Sequence, residues 1–154
     1  MFGQSDYVLG LSCVFGGAVL EGRNITVIGT GYVGLVTAAC FSSIGHAVME
    51  GRNITVIGHA VMGLDNNEEK IELLKRGRSP IYEAGLEPLI QQSLGENLFF
   101  TSDYEEAVAF GDVIFLAVGT PSADDGNADL TALWSAVDSL AAHVTKRKVV
   151  VVKS

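Results

Sequence analysis

Residues 29–34 read GTGYVG and place three glycines at the spacing GxGxxG, which is typical of a turn that binds a nucleotide diphosphate. The turn follows a short β-branched run at residues 24–28 and opens a segment with helical spacing. In that setting Gly29 permits a tight turn, Gly31 lets a pyrophosphate approach the backbone, and Gly34 lets helix and strand pack closely. The first N–H groups of the helix then face the phosphates. The pattern predicts a dinucleotide site, and a glycine-rich turn without a ligand is the alternative.

Asp65 is the candidate for the second chemical group that such a site needs. A carboxylate about 20 residues after the turn, at the end of the next strand, binds the adenosine ribose hydroxyls and favours NAD over NADP. Asp65 stands in the sequence GLDNN but lies 36 residues after Gly29. The excess length indicates an insertion between the turn and the carboxylate.

An internal repeat accounts for that excess. The nonamer EGRNITVIG occupies residues 21–29 and again 50–58, and the tetrapeptide HAVM begins at His46 and again at His59. We interpret residues 50–62 as a 13-residue duplicated insert, because two identical copies this close together do not form a repeat architecture. Without the insert, the spacing from the turn to the carboxylate falls to 23 residues.

The two copies of HAVM allow two arrangements of the second strand. If the copy at His46 forms that strand, Arg52 falls where the ribose-binding acid belongs. If the copy at His59 forms it, Asp65 is correctly placed and residues 46–58 leave the sheet as an extra strand or hairpin. We favour the second arrangement, because lengthening a loop costs only about 0.6 kcal/mol for each doubling.

Apolar runs and amphipathic segments alternate along the rest of the chain. This alternation predicts an α/β fold, a Rossmann-type doubly wound parallel sheet in three α/β/α layers. The run at residues 149–152 is expected to be a buried last strand, and Cys40 and Trp134 are expected to pack on the apolar sides of their helices. Strands are predicted at residues 24–28, 98–101, 113–118 and 149–152, and helices at residues 33–44, 68–76, 86–94, 104–110 and from an N-cap at Asp129 to Val144.

Composition limits the classes of partner and the compartment. A chain of 154 residues is long enough for one domain, with residues 1–22 predicted to be an extension outside the fold of residues 23–154. Its net charge of -8 argues against nucleic acid, which requires a basic face. The apolar run at residues 8–20 is too short to span a membrane. Two cysteines without metal-ligand spacing favour a reducing, cytoplasmic setting and no metal site.

Beyond these separate patterns, residues 24–49 and 63–154 resemble the N-terminal NAD-binding domain of the UDP-glucose/GDP-mannose dehydrogenase family. The resemblance covers about 118 of the 154 residues. It depends on the combination of motifs rather than on any one of them. The segments that carry it are NITVIGTGYVGLVTAACFSSIGHAVM, GLDNNEEKI, SPIYEAGLEPLI, GDVIFLAVGTPSADDGNADL and VVVVKS.

The resemblance implies which positions bind NAD. The glycine turn would hold the pyrophosphate, an acid and a lysine would meet the adenosine ribose, and the ends of the fourth and fifth sheet strands would line the cofactor. Position by position, these are Gly29, Thr30, Gly31, Tyr32, Val33 and Gly34 at the pyrophosphate, Asp65 and Lys70 at the ribose, Val118, Gly119, Thr120, Pro121 and Ser122 after the fourth strand, and Lys153 and Ser154 after the fifth.

The resemblance also implies an activity that these residues do not complete. Members of the family oxidise the C6 hydroxyl of a sugar nucleotide, such as UDP-glucose to UDP-glucuronate, with two NAD and a catalytic cysteine. In the family, that cysteine and the sugar-nucleotide pocket lie in later parts of the chain. Cys40 does not correspond to the catalytic cysteine. We therefore expect an NAD-binding domain without catalytic residues, which meets its sugar nucleotide in the full-length enzyme. A stand-alone NAD-binding module and a truncated chain without function are the alternatives, and a homo-oligomer is left open.

Overall fold

A five-stranded parallel sheet forms the centre of the computed structural model, which describes residues 23–43, 46–50, 53–57, 59–123 and 126–153. The described elements, in chain order, are β1 (Ile25–Ile28), α1 (Tyr32–Ser43), β2 (His46–Glu50), β3 (Asn53–Ile57), β4 (Val61–Leu64), α2 (Glu68–Lys75), α3 (Leu86–Ser93), β5 (Leu98–Thr101), α4 (Tyr104–Phe110), β6 (Val113–Leu116), α5 (Thr131–His143) and β7 (Val149–Val152).

The order of the strands in this sheet is β5-β4-β1-β6-β7, and all neighbours are parallel. One half of the sheet runs outwards from β1 through β4 to β5. The chain then crosses back to the other side of β1, where β6 and β7 form the second half. The two halves meet between β1 and β6, which is the switch point where ligands of such sheets bind, beyond the carboxyl ends of the strands. The predicted doubly wound parallel sheet is confirmed.

Helices pack on both faces of the sheet and create two apolar clusters. On one face α1 and α3 contact each other, and the cluster includes Leu35, Ile71 and Ile90. On the other face α4 and α5 pack together over a cluster that includes Val108 and Leu140. The three predicted layers are therefore present.

The copy of HAVM that begins at His59 supplies the strand next to β1. Within it, Val61 pairs with Ile25, and the strand continues through Leu64 directly to Asp65. The other copy forms β2, which pairs with β3 in a separate antiparallel hairpin. The favoured arrangement is thus confirmed.

Three residues or strands predicted to be buried are exposed. Cys40 is exposed, because the buried side of α1 is formed by residues such as Gly34 and Ala38 and does not include Cys40. β7 is largely exposed, with Val149 at 57 %, because it pairs only with β6 in the described part of the chain. Trp134 is 61 % exposed on α5 rather than packed.

The start of α5 differs by one residue from the prediction. The N-cap is Leu130, which makes no side-chain capping bond, while the Asp129 carboxylate accepts a 2.9 Å hydrogen bond from the backbone N–H of Thr131. The aspartate therefore satisfies a helix N–H from just outside the cap position.

In the part of the chain that the structure describes, no helix is long and apolar enough to cross a bilayer.

Candidate functional site

The glycine turn after β1 combines two structural glycines with one that faces open space. Gly29 has a φ of +97°, and a Cβ there would lie 2.8 Å from the backbone oxygen of Ala117. A Cβ on Gly34 would overlap the carbonyl of Gly29, so α1 can approach the strand only with a glycine at that position. A Cβ on Gly31, by contrast, would meet nothing within 4 Å. The space above Gly31 is the part of the turn that is available to a ligand.

Asp65 lies at the carboxyl end of β4, beside this turn. Its Oδ2 accepts hydrogen bonds from the backbone N–H of Thr30 at 3.0 Å and from the Thr30 hydroxyl at 2.7 Å. Its Oδ1 accepts a 3.0 Å bond from the backbone N–H of Asn67. Lys70 approaches Oδ2 to 3.4 Å from the first turn of α2. The carboxylate therefore joins the ends of β1 and β4 to the start of the next helix.

These contacts decide the charge state of Asp65, which is only 9 % exposed. Burial by itself would raise the pKa of the carboxyl group. The hydrogen bonds from Asn67 and Thr30 and the positive charge of Lys70 act in the opposite direction, and the pKa of Asp65 lies below its ordinary value of 3.8. Asp65 is accordingly ionised at neutral pH and can accept hydrogen bonds from hydroxyl groups.

Two clefts meet above the switch point of the sheet, each of about 270 Å³. Gly31 and the segment 117–119 line both of them. The first cleft extends towards Asp65 and α5, and the second towards Thr120 and the end of β7. Because they share these lining residues, the two clefts adjoin each other and are described below as one groove.

The structure brings most of the predicted site residues to this groove. Gly29, Asp65 and Lys70 line the first cleft, and Tyr32, Val33, Thr120 and Lys153 line the second, with Gly31, Val118 and Gly119 common to both. Four predicted positions stand behind or beside the lining: Thr30 bonds to Asp65, Gly34 packs beneath the turn, and Pro121 and Ser122 continue the exposed loop after Thr120. Ser154 lies outside the described residues.

Some lining residues were not found from the sequence. Tyr104, at the start of α4, and Ala132, Ser135 and Ala136, on α5, contribute to the first cleft. No local motif marks them, because they reach the groove through the packing of α4 against α5 on the second face of the sheet. The sequence indicated their position only indirectly, because a helix that follows a parallel strand begins at the carboxyl edge of the sheet.

The residues that line the groove fit a dinucleotide. Gly31 leaves room where a pyrophosphate has to approach the backbone, and Leu35 N bonds to Gly31 O at 2.9 Å, so the turn leads directly into α1. An ionised carboxylate stands at the end of the neighbouring strand, where ribose hydroxyls would be bound. Among the described residues there is no group of three or more His, Cys, Asp or Glu side chains that could hold a metal ion.

Comparison with known families agrees with this geometry. Residues 23–154 match the model of the UDP-glucose/GDP-mannose dehydrogenase family, NAD binding domain. A UDP-glucose 6-dehydrogenase of Bacillus subtilis is 43 % identical over 132 residues, which is 85 % of this chain and 27 % of the relative. A UDP-glucose 6-dehydrogenase of Pseudomonas aeruginosa is 39 % identical over 131 residues, covering 84 % of this chain and 26 % of the relative.

Solved structures of the family have the same architecture. A UDP-glucose dehydrogenase from Pyrobaculum islandicum matches with a TM-score of 0.74 and 38 % identity over 87 % of this chain and 29 % of that one. A ternary complex of GDP-mannose dehydrogenase from Pseudomonas aeruginosa matches with a TM-score of 0.73 and 37 % identity, over 85 % and 28 %. The chain thus spans between a quarter and a third of the length of these relatives. It belongs to the UDP-glucose/GDP-mannose dehydrogenase family, of which it is the NAD-binding domain.

Proposed function

We propose that this chain binds NAD along the groove above the switch point, as the cofactor-binding part of an enzyme that oxidises UDP-glucose to UDP-glucuronate. The observation that carries the proposal is that an open glycine, Gly31, and an ionised carboxylate, Asp65, follow the carboxyl ends of the two neighbouring strands β1 and β4. When bound, the nicotinamide ring accepts hydride from the substrate.

Each part of the groove has a separate task in this proposal. The backbone N–H groups after Gly31 meet the pyrophosphate at the amino end of α1. Asp65 accepts hydrogen bonds from the adenosine ribose, with Lys70 beside it. A 2′-phosphate on that ribose would face the charge of Asp65, so the site selects NAD over NADP. The second cleft, between Val33, Thr120 and Lys153, is left for the nicotinamide half.

The residues that would carry out the oxidation are assigned to the rest of the enzyme. A sugar nucleotide, UDP-glucose or a related one, is the proposed substrate partner of the whole protein. Neither nucleic acid nor a membrane is a proposed partner, and the compartment is the cytoplasm. A homo-oligomer is the assembly we propose for the full-length enzyme.

Titration with reduced cofactors tests the binding proposal. Trp134 is the single tryptophan and lies on α5 beside Ser135, which lines the first cleft. Bound NADH should therefore quench tryptophan fluorescence by energy transfer. We expect a dissociation constant of about 1 µM or weaker, because contacts from the rest of the enzyme are missing, and NADPH should bind at least about 10-fold more weakly. Absence of NADH binding would contradict the proposal.

An activity assay separates the domain from the complete enzyme. The 154-residue chain should transfer no hydride to NAD with UDP-glucose, UDP-N-acetylhexosamine or GDP-mannose, whereas it should bind NADH. Binding without turnover agrees with a cofactor-binding part of a larger enzyme. Turnover by this chain alone would show that catalytic residues are present here and would refute the assignment.

A further inference from the structure

The last strand of the sheet, β7, presents an apolar surface that the described residues leave open. Val149 and Val152 are each 57 % exposed, and Val150 is 46 % exposed. Because successive side chains of a strand point to opposite faces, these valines show that both faces of β7 are accessible. Contiguous exposed apolar surface marks a place where another segment packs.

The outer edge of β7 also offers unused backbone hydrogen bonds. In the described part of the chain β7 pairs with β6 alone, and the backbone N–H of Lys153 donates to Leu116 O at 2.8 Å on that inner side. Backbone N–H groups alternate in direction along a strand, so those of Val150 and Val152 point away from β6. An open edge of this kind is a template for a further strand.

The chain enters the sheet at the same end at which β7 begins. Asp112 N donates to Asn24 O at 2.8 Å, and Val149 N donates to Asp112 O at 3.0 Å, so the starts of β1, β6 and β7 stand side by side. Neighbouring strands are about 4.8 Å apart. The position outside β7 is therefore three spacings, or about 14 Å, from the point at which residues 1–22 join the sheet.

The residues before β1 contain an apolar run of suitable length. Residues 1–22 lie outside the described residues, and their sequence includes the uncharged stretch 7–20, which reads YVLGLSCVFGGAVL. Residues 16–22 span up to about 23 Å when extended, at about 3.3 Å per residue, which exceeds the distance to the outer edge. Residues 8–15 then remain as a segment of ordinary strand length.

Charge favours this segment over a second copy of the chain as the partner of β7. The cleft at the start of β7 has a volume of about 440 Å³, and its lining includes three cations and one carboxylate, Arg23, Arg147, Lys148 and Asp112. Glu21 would pass this mainly basic cleft on the way to β1. Two β7 strands paired antiparallel over all four valines would instead place Lys148 opposite Lys153 of the other copy, and like charges directly opposite each other are destabilising.

We propose that residues 8–15 add to the open edge of β7 as an antiparallel strand and complete the sheet from the N-terminal side of the chain. The direction follows from the connection, because a segment that leads into β1 must run towards the end at which β7 begins. An antiparallel edge strand on an otherwise parallel sheet is a common arrangement. The proposal places part of residues 1–22 on the fold, in contrast to the sequence-based expectation, and it does not depend on NAD binding.

Amide hydrogen exchange measured by NMR on the 154-residue chain tests the pairing. The N–H groups of Val150 and Val152 should exchange about 10-fold or more slowly than in a chain that lacks residues 2–22. The N–H of Val61, which bonds to Asn97 O in the other half of the sheet, is the internal control and should exchange alike in both chains.

A point substitution in the segment keeps the length of the chain unchanged. Leu11→Asp places a charge in the proposed strand and should remove the slow exchange of Val150 and Val152, because burial of an unpaired charge against the valines is unfavourable. Leu11→Val is the matched control. It keeps an apolar side chain that suits a strand and should retain the slow exchange.

Disulfide formation locates the segment independently. Cys13 lies inside the proposed strand, and in a Cys40→Ser background it is the single thiol of the chain. Mild oxidation should join Cys13 to a cysteine introduced by Val150→Cys or by Val152→Cys within one molecule. Leu73→Cys is the matched control, because Leu73 is 43 % exposed but lies on α2, which contacts β5 at the opposite edge of the sheet. It should give no disulfide within one molecule.

The outcomes distinguish the N-terminal segment from other partners of β7. Slow exchange that is lost with the segment, together with a disulfide inside one molecule, supports the proposal. Equal exchange of Val150 and Val152 with and without residues 2–22 overturns it. Slow exchange that increases with protein concentration, with disulfides only between molecules, assigns the edge to a second copy and also overturns it. If the shortened chain fails to fold, as judged by fast exchange at Val61, the comparison of Leu11→Asp with Leu11→Val decides alone.

Discussion

The Oδ2 atom of Asp65 accepts a 3.0 Å hydrogen bond from the backbone N–H of Thr30, although the two residues are 35 positions apart. This bond joins the glycine turn after β1 to the end of β4 and fixes the carboxylate beside the open space at Gly31. A buried carboxylate without such partners would be costly, since burying a charge is unfavourable unless it is hydrogen-bonded. The same contacts therefore stabilise the domain and prepare the site that we propose for the ribose.

Substituting Asp65 with asparagine should make stability less dependent on pH. The folded-state pKa of Asp65 lies below its ordinary value of 3.8, so the stabilisation by its ionised form is complete above that value and is lost as the pH falls through the folded-state pKa. At about pH 7 Asp65→Asn should lower the free energy of unfolding by about 2 kcal/mol, the scale of hydrogen bonds to a charged group. The difference should shrink below about pH 4. Urea unfolding at several pH values measures this, and a difference that grows on acidification would contradict it.

Gly31→Val should abolish NADH binding while leaving the fold nearly intact. A side chain there projects into open space above the turn, where the pyrophosphate has to approach the backbone. Circular dichroism should report almost unchanged helical content, and fluorescence titration should show no binding. A valine variant with unchanged NADH affinity would mean that GTGYVG is a turn without a ligand.

Gly34→Ala should damage the fold rather than the ligand site. The added Cβ would overlap the Gly29 carbonyl and would also lie 3.2 Å from the Cβ of Ala117, so helix and strand must separate. We expect a loss of about 3 kcal/mol in the free energy of unfolding, at the upper end for overpacking. Gly31→Ala is the control, and its stability should change by less than about 0.5 kcal/mol. Equal stability of the two variants would refute the proposed difference between these glycines.

Deleting residues 46–58 should preserve both the sheet and NADH binding. Because HAVM is repeated, this deletion gives the same sequence as deletion of residues 50–62, so the product does not depend on which copy is removed. The hairpin β2–β3 is a separate sheet, and its loss leaves the pairing of β1 with β4 available. Shortening the connection should change stability by less than about 1 kcal/mol. Loss of NADH binding on deletion would show that the hairpin contributes to the site.

Much of the architecture followed from local patterns along the chain. The boundaries of β5 and α4 agree with the prediction, and α2 and α3 differ from it by one residue at the end. The glycine turn and the carboxylate could be identified because their chemistry depends on residue type and on position along the chain. The burial of α1 and β7 was less predictable, because burial depends on which neighbours a face meets. Cys40 and Val149 are both exposed, although each belongs to an apolar segment of the sequence.

The sequence by itself determined the doubly wound fold, the turn at Gly31 and the need for an acid such as Asp65, since each of these is set by residue type and periodicity. The two HAVM copies are identical in residue type, so the sequence could favour the copy at His59 only through its distance from Asp65 and the low cost of a longer loop. Tertiary structure decided that question, since only the copy leading into Asp65 permits both the parallel pairing with β1 and the hydrogen bond to Thr30. Packing of α4 against α5 likewise brought Tyr104 to the cleft. Such contacts arise between segments that are distant in the chain, and no local pattern encodes them.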